Sequence, residues 1–279
     1  MNTIAAVGQF CATSIIHSNR LACRNLILQA ARLGAKMIFL PEASDFISFT
    51  KQETLQLTTS IEKSEFVLSL KEAAQQANIW VSVGVHELVS STNNKIYNSH
   101  LVIDNRGELI TVYRKIHLFN VDIENGPRLM ESDSTMEGQE LGHPILTPIG
   151  KLGLQTCYDV RFPEASIALR KRGAEILAFP SAFTIKTGMA HWETLLRARA
   201  IETQTYVIAA AQIGQHNEKR ASYGHAMIVD PWGKVLAECP ENTQPSIAIA
   251  NIDLDYMKKI RAEMPVMTHR RTDLYPSIE

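Results

Sequence analysis

Residues 33–43 read LGAKMIFLPEA, and residues 172–182 read RGAEILAFPSA. In each stretch a glycine precedes a short apolar run that ends at a proline, a pattern typical of a helix end, a buried strand and a turn. Glu42 and Ser181 occupy matching places at the ends of the two predicted strands. Because α/β folds bind ligands at the carboxyl ends of their strands, this match draws attention to Glu42.

The sequence on either side of these stretches repeats one order of elements. Around the first stretch, hydrophobic periodicity predicts a strand at 2–9, a helix capped by Ser18 and running to about Leu33, a helix at about 63–78, a strand at 80–87 and a hairpin of 96–104 and 108–115. Around the second, it predicts a strand at 151–156, a helix from about 162 to 173, a helix at about 190–202, a strand at 205–212 and a hairpin of 225–229 and 234–238.

The turns of the two predicted hairpins also match, since residues 102–107 read VIDNRG and residues 228–233 read IVDPWG. Coincidence between common turn sequences is the alternative explanation. Two related halves, each burying one sheet face against the other, predict a four-layer α-β-β-α sandwich with an internal pseudo-twofold axis. No linker-like segment interrupts the pattern, so we expect a single domain over residues 1–279.

Composition excludes several classes of protein. Hydrophobic residues make up 45% of the chain and charged residues 20%, which is an ordinary globular balance. With 28 Lys+Arg and 29 Asp+Glu, the formal charge of -1 argues against binding to nucleic acid or to anionic membranes. No apolar run approaches the ~18 residues of a transmembrane helix, and the amino terminus lacks the features of a signal peptide. We therefore expect a cytoplasmic protein, with a mitochondrial pool as an alternative in a eukaryote.

One of the four cysteines, Cys157, lies in a sequence that favours chemistry. Residues 153–164 read GLQTCYDVRFPE, so an apolar strand ends at the cysteine and a helix starts shortly after it. A nucleophile at such a sharp turn is accessible, and nearby backbone N–H groups can stabilise developing negative charge. The alternative is a buried cysteine that closes the strand.

A thiol nucleophile needs a base, and none of the nine histidines lies in a pattern that marks it as one. Glu42, in FLPEAS at 39–44, is the alternative base, and partial burial is expected to raise its pKa toward neutrality. Lys115, in VYRKIHLF at 112–119, is either a surface lysine or a cation for a substrate oxygen. Glu131, in RLMESDS at 128–134, either holds that lysine charged or is a solvated loop carboxylate. No metal or nucleotide motif occurs.

The three segments around Glu42, Lys115 and Cys157 resemble the three motifs of the nitrilase superfamily, whose members are carbon–nitrogen hydrolases with a Glu-Lys-Cys triad. The resemblance implies the four-layer sandwich, a homodimer or higher homo-oligomer, a small-molecule amide substrate and no cofactor or metal. It also implies that Glu42 is the general base and Cys157 the nucleophile. Lys115 would stabilise the oxyanion together with the backbone N–H of Tyr158, and Glu131 would be the additional glutamate beside the lysine.

A narrower resemblance, to the deaminated-glutathione amidase branch, rests on segments spread over the second half of the chain. These are GH at 142–143, PSAFT at 180–184, HWE at 191–193, LRARAIETQ at 196–204, EKRASYGH at 218–225, VDPWG at 229–233 and HRRTDLY at 269–275. That branch hydrolyses glutathione that has lost its amino group, giving 2-oxoglutarate and cysteinylglycine. The alternatives are an omega-amidase acting on 2-oxoglutaramate, or a hydrolase of another small linear amide or N-carbamoyl compound. A non-enzymatic scaffold is disfavoured because the triad is intact.

A substrate of this kind carries carboxylates that need cationic or amide partners once they are desolvated. Arg161, four residues past the nucleophile, is the first candidate, and a structural salt bridge is the alternative. Ser181 and Phe183 are candidates to line the acyl pocket. Candidates for the distal carboxylate are Lys186, His191 and Arg220.

Overall fold

The computed structural model describes residues 3–89, 94–122 and 128–276. Within these ranges the helices are α1 (Ile16–Arg32), α2 (Lys51–Leu57), α3 (Glu65–Ala77), α4 (Pro163–Lys171), α5 (Ile185–Thr203) and α6 (Leu254–Glu263). The strands of the first half are β1 (Thr3–Phe10), β2 (Met37–Phe39), β3 (Trp80–Leu88), β4 (Ile96–Ile103), β5 (Leu109–Arg114), β6 (Asn120–Asp122), β7 (Arg128–Met130) and β8 (Thr135–Met136). Those of the second half are β9 (Ile145–Thr147), β10 (Gly150–Leu154), β11 (Ile176–Ala178), β12 (Tyr206–Ala209), β13 (Ala211–Asn217), β14 (Arg220–Tyr223), β15 (Met227–Val229), β16 (Val235–Glu238) and β17 (Ser246–Ile252).

Two sheets share a pattern of five strands with the same order and direction. In the first, β1, β2 and β3 are parallel neighbours, and β4 and β5 then add antiparallel. In the second, β10, β11 and β12 are parallel, and β15 and β16 add antiparallel. The predicted relation between the two halves is therefore present in the strand order and direction.

The layers follow from two apolar clusters. Buried residues of both sheets, such as Val7, Phe39, Leu152 and Ile208, belong to one cluster that also takes in Trp192 of α5. On its other face, the first sheet shares a second cluster with α1 and α3. The predicted α-β-β-α sandwich is confirmed. No helix within the described ranges is long and apolar enough to cross a membrane.

The segment predicted as one strand at 205–212 is divided between the two sheets. β12 ends at Ala209 in the second sheet, and β13 begins at Ala211 and pairs with β1 in the first. The sequence analysis also missed β17, which runs antiparallel to nearly all of β1. Strand periodicity shows which residues are buried but not which sheet receives them, so these pairings could not be predicted from it.

Helix boundaries differ from the prediction at two amino termini. Ser18 lies inside α1, which follows Ile15 without a side-chain cap, and α5 begins at Ile185 because the Thr184 hydroxyl accepts from the N–H of Thr187. Gly34 ends the first helical region as expected, with a φ of +84° that favours glycine. Residue 2, at the start of the first predicted strand, lies outside the described residues.

Candidate active site

Glu42 lies in a turn after β2 that is fixed by hydrogen bonds to its backbone. Its side chain is buried, and its backbone carbonyl accepts a hydrogen bond from Gln212 Nε2 at 3.0 Å. The next residue, Ala43, has a φ of +52°, a conformation that L residues adopt at a cost. The sharp turn places the Glu42 carboxylate at the carboxyl end of the parallel strands, as predicted from the sequence.

Cys157 follows β10 and begins a short 3₁₀ turn that ends at Arg161. Its φ is +48°, and its N–H donates to the carbonyl of Pro180 at 3.0 Å. The strained strand-to-helix turn expected from the sequence is therefore present. The backbone N–H of Tyr158 lies in the first turn of this segment, where N–H groups lack an intrahelical acceptor.

Lys115 lies just beyond β5 and is only 2% exposed. Its ammonium donates to Glu42 Oε1 at 3.1 Å and to Glu131 Oε2 at 2.8 Å. The N–H of Phe119 donates to the same Glu131 oxygen at 2.7 Å and fixes that carboxylate. The alternative of a surface lysine is wrong, because Lys115 is buried, and Glu131, whose side chain is 19% exposed, is ion-paired with it.

Asp159 ties the lysine segment to the cysteine turn. Its fully buried carboxylate accepts from the N–H of Thr156 at 2.8 Å and from the hydroxyl of Tyr113 at 2.7 Å. It also pairs with His117 Nδ1 at 2.7 Å. Residues on both sides of Lys115 are thus bound to the turn that carries Cys157. The sequence analysis missed Asp159, although its position two residues after the cysteine was visible.

Burial and the neighbouring charges shift the pKa values of Cys157 and Lys115. Burial raises the pKa of the Cys157 thiol well above its ordinary value, and the nearby charge of Glu42 raises it further against the opposing charge of Lys115. Burial lowers the pKa of Lys115, but the charges of Glu131 and Glu42 outweigh burial and raise it well above its ordinary value. The resting site therefore holds a neutral thiol and a charged ammonium.

The expected rise in the Glu42 pKa is wrong. Burial does raise that pKa, but the charge of Lys115 and the hydrogen bonds from Cys157 and Asn98 outweigh burial, and the net shift is downward. Sequence alone could not place these partners around the carboxylate. Glu42 therefore rests ionised beside a neutral thiol that donates to it, which is the arrangement a general base needs before proton transfer.

Gly84 of β3 gives this geometry a direct test. A Cβ atom at Gly84 would lie 2.6 Å from the Glu42 Cα atom, so Gly84→Ala should displace the Glu42 carboxylate. Because a displacement of about 1 Å can cost about 100-fold in rate, we expect a loss of that order in kcat/KM. Gly142→Ala is the control, since a Cβ atom at Gly142 would meet no heavy atom within 4 Å. Equal activity of the two variants on any amide substrate would contradict the placement of Glu42.

The residues suggested for substrate binding fall into two groups. Arg161 and Phe183 come together, with the guanidinium carbon 5.6 Å from the ring centroid. Arg161 also reaches His191 Nδ1 at 3.3 Å. Ser181 is fully buried, and its hydroxyl donates to the carbonyl of Phe179 at 3.0 Å. The Ser181 carbonyl also accepts from the N–H of Gln212. These contacts favour a role for Ser181 in connecting neighbouring strands over a role in lining the pocket.

Comparisons with known proteins agree with this geometry. The family model described as carbon–nitrogen hydrolase matches residues 4–262. The chain belongs to the carbon–nitrogen hydrolase family. It is therefore a hydrolase that acts on carbon–nitrogen bonds, and the resemblance to the nitrilase superfamily is confirmed.

Relatives of this carbon–nitrogen hydrolase span nearly its whole length. It is 50% identical to the probable hydrolase nit2 of Schizosaccharomyces pombe, covering 99% of this chain and 100% of the relative. It is 48% identical to the deaminated glutathione amidase of Homo sapiens, covering 99% of this chain and 84% of the relative. The crystal structure of the C. elegans NitFhit protein superposes with a TM-score of 0.94 at 47% identity, covering 99% of this chain and 66% of that one.

Proposed function

We propose that this hydrolase cleaves deaminated glutathione to 2-oxoglutarate and cysteinylglycine through a thioester on Cys157. One observation carries the chemistry: a buried thiol lies beside a buried carboxylate that shares a buried lysine with a second carboxylate. The names of relatives such as the human deaminated glutathione amidase support the substrate.

In the first half-reaction, Glu42 takes the proton of the Cys157 thiol as the sulfur attacks the amide carbonyl carbon. The oxygen of the tetrahedral adduct gains negative charge beside the Lys115 ammonium and the N–H of Tyr158. When the carbon–nitrogen bond breaks, the leaving amine takes the proton from Glu42. The products of this step are free cysteinylglycine and a 2-oxoglutaryl thioester.

In the second half-reaction, the restored Glu42 carboxylate takes a proton from water as the water oxygen attacks the thioester carbonyl. The same two donors hold the second oxyanion. The carbon–sulfur bond then breaks, and the thiolate takes the proton from Glu42. 2-Oxoglutarate leaves, and the neutral thiol and ionised carboxylate of the resting site are regenerated.

Two arginines near the thiol and its base support a substrate with two carboxylates. Arg161 stacks near Tyr158 and Phe183, and within the described ranges no carboxylate pairs with it. The charge of Arg220, on β14, reaches the Glu42 carboxylate, and that arginine likewise has no ion pair among the residues described. Each guanidinium is therefore available to bind a carboxylate of the substrate.

Deaminated glutathione has one carboxylate on its α-keto acid end and another on its glycine. In this proposal Arg161 binds the first and Arg220 the second. 2-Oxoglutaramate shares the α-keto acid end and lacks the glycine. The two substrates therefore separate the roles of the two arginines.

Substitution of each arginine should affect the two substrates differently. Arg161→Met should lower kcat/KM for both, while Arg220→Met should lower it more for deaminated glutathione than for 2-oxoglutaramate, because the Arg220 charge also acts on Glu42. Since a hydrogen bond to a charged group contributes about 1.5–3 kcal/mol, each loss should be about 10- to 100-fold. Arg106→Met, which removes an exposed arginine from the β4–β5 turn, is the matched control. Steady-state kinetics on both substrates provides the test.

A clear preference of the wild-type protein for 2-oxoglutaramate would overturn the proposed substrate and leave the thioester chemistry intact. Equal effects of Arg220→Met on the two substrates would contradict its assignment to the distal carboxylate.

The proposal also includes a single hydrolase domain over residues 1–279, a homodimer and a cytoplasmic location. Light scattering on the purified protein tests the dimer.

A further inference from the structure

Asn98 hydrogen-bonds to Glu42, Glu131 and Lys115, and the sequence analysis did not identify it. It lies on β4, directly opposite His86 of β3. Its side-chain amide donates to Glu42 Oε1 at 2.7 Å and to Glu131 Oε1 at 3.1 Å. Its backbone carbonyl accepts the N–H of Lys115 at 2.9 Å.

These contacts close a ring in which donors and acceptors alternate. Lys115 Nζ lies 3.1 Å from Glu42 Oε1 and 3.1 Å from Glu131 Oε1. Asn98 Nδ2 bridges the same two oxygens from the other side. Two carboxylates would repel each other across one ammonium, and the two N–H bonds of the amide supply the second bridge between them.

We propose that the Asn98 side chain is a positioning residue that holds the Glu42 and Glu131 carboxylates on either side of Lys115 and orients the Glu42 carboxylate toward Cys157. Both bridging donors bind Oε1 of Glu42, which fixes the orientation of that carboxylate while the thiol donates to it. The inference rests on the proposed amide hydrolysis, in which Glu42 must accept the thiol proton.

The charged and titratable groups that face Glu42 come from several elements. They are Lys115 at the end of β5, Cys157 after β10 and Arg220 on β14, with Glu131 on the far side of the lysine. Burial raises the pKa of Glu42, and the Asn98 hydrogen bond is one of the contacts that lower it. Loss of that bond should therefore raise the pKa and leave Glu42 protonated over a wider pH range.

Asn98→Leu removes both side-chain donors at similar volume and leaves the backbone bond to Lys115 in place. The acidic limb of the kcat/KM profile should move to higher pH by about one unit, the shift expected for loss of one hydrogen bond to a charged group. At neutral pH we expect a loss of about 10-fold or more. Asn98→Asp, which keeps the shape but replaces the donor with a third carboxylate, should lose more.

Ser99→Ala is the matched control. Ser99 is the next residue on β4, and its hydroxyl donates to the Glu87 carboxylate at 2.6 Å, outside the site. This variant also loses a buried hydrogen bond to a carboxylate, so it calibrates the cost in thermal stability. It should leave the acidic limb unmoved.

A second readout needs no substrate. The rate of alkylation of Cys157 by iodoacetamide, followed by peptide mass spectrometry, should depend on ionised Glu42, and its pH midpoint should rise in Asn98→Leu. If that midpoint rises while the wild-type protein hydrolyses no amide, the proposed function fails and the positioning role stands. Unmoved midpoints in both readouts, wild-type activity in Asn98→Asp, or failure of Asn98→Leu to fold would each overturn the positioning role.

Discussion

Cys157→Ala is expected to lose essentially all amide hydrolysis while remaining folded. Without the sulfur no thioester forms, and Glu42 and Lys115 have no nucleophile to serve. Removal of the nucleophile from a comparable triad costs about a million-fold, so we expect at least a 10⁴-fold loss in kcat. The substitution removes only the sulfur atom of Cys157, a residue that is 8% exposed. The effect on the unfolding temperature should therefore be small. Steady-state kinetics and thermal unfolding together check the prediction.

Cys11→Ala provides the control for this experiment. The Cys11 thiol is half-buried, with its sulfur 3.5 Å from His216 Nδ1, and it lies outside the ring of Glu42, Lys115, Glu131 and Asn98. It should retain wild-type turnover. Substantial hydrolysis by Cys157→Ala would show that water attacks the amide directly and would remove the thioester from the mechanism.

Lys115→Met should abolish measurable turnover for two physical reasons. The loss of one oxyanion donor in other enzymes costs about 10²–10³ in rate. In addition, the Glu42 and Glu131 carboxylates would face each other without the ammonium, so the pKa of one should rise and Glu42 would be a poorer base. The combined loss in kcat/KM should exceed about 10³, measured at several pH values.

The same substitution should also destabilise the fold, because breaking a buried ion pair costs about 3–5 kcal/mol. The free energy of unfolding in denaturant measures this cost. Lys234→Met, which removes an exposed lysine from the turn between β15 and β16, should change neither activity nor stability. If Lys115→Met kept half of the activity, the ammonium would have no place at the oxyanion.

The fold and the positions of Glu42 and Cys157 could be predicted because their signals are local, whereas Lys115 was assigned through the resemblance to the nitrilase superfamily. The matching stretches at 33–43 and 172–182 each contain a helix end, a strand and a turn, so the two equivalent parallel strands β2 and β11 followed from them. Glu42 and Cys157 each end an apolar run at a sharp turn. The positive φ values that the structure gives to Ala43 and Cys157 are the backbone form of that pattern.

The residues that the sequence did not identify make their contacts with residues far away in the chain. Asn98 becomes informative only when β4 lies beside β3 and brings its amide to Glu42, 56 residues earlier in the chain. Asp159 likewise depends on the approach of Tyr113 and His117. The direction of the Glu42 pKa shift was wrongly predicted for the same reason. Burial could be foreseen from the apolar run, but the contacts that outweigh it could not.

The central claim is that the amide carbon is transferred to the Cys157 sulfur, and intact-protein mass spectrometry during turnover of deaminated glutathione tests it most directly. Samples quenched in acid within the first turnovers should carry the mass of one 2-oxoglutaryl group, and peptide mapping should place that group on the segment containing Cys157. The adduct should disappear as substrate is exhausted and should be absent from Cys157→Ala. Rapid hydrolysis with no adduct at any quench time, or an adduct on another residue, would contradict the account.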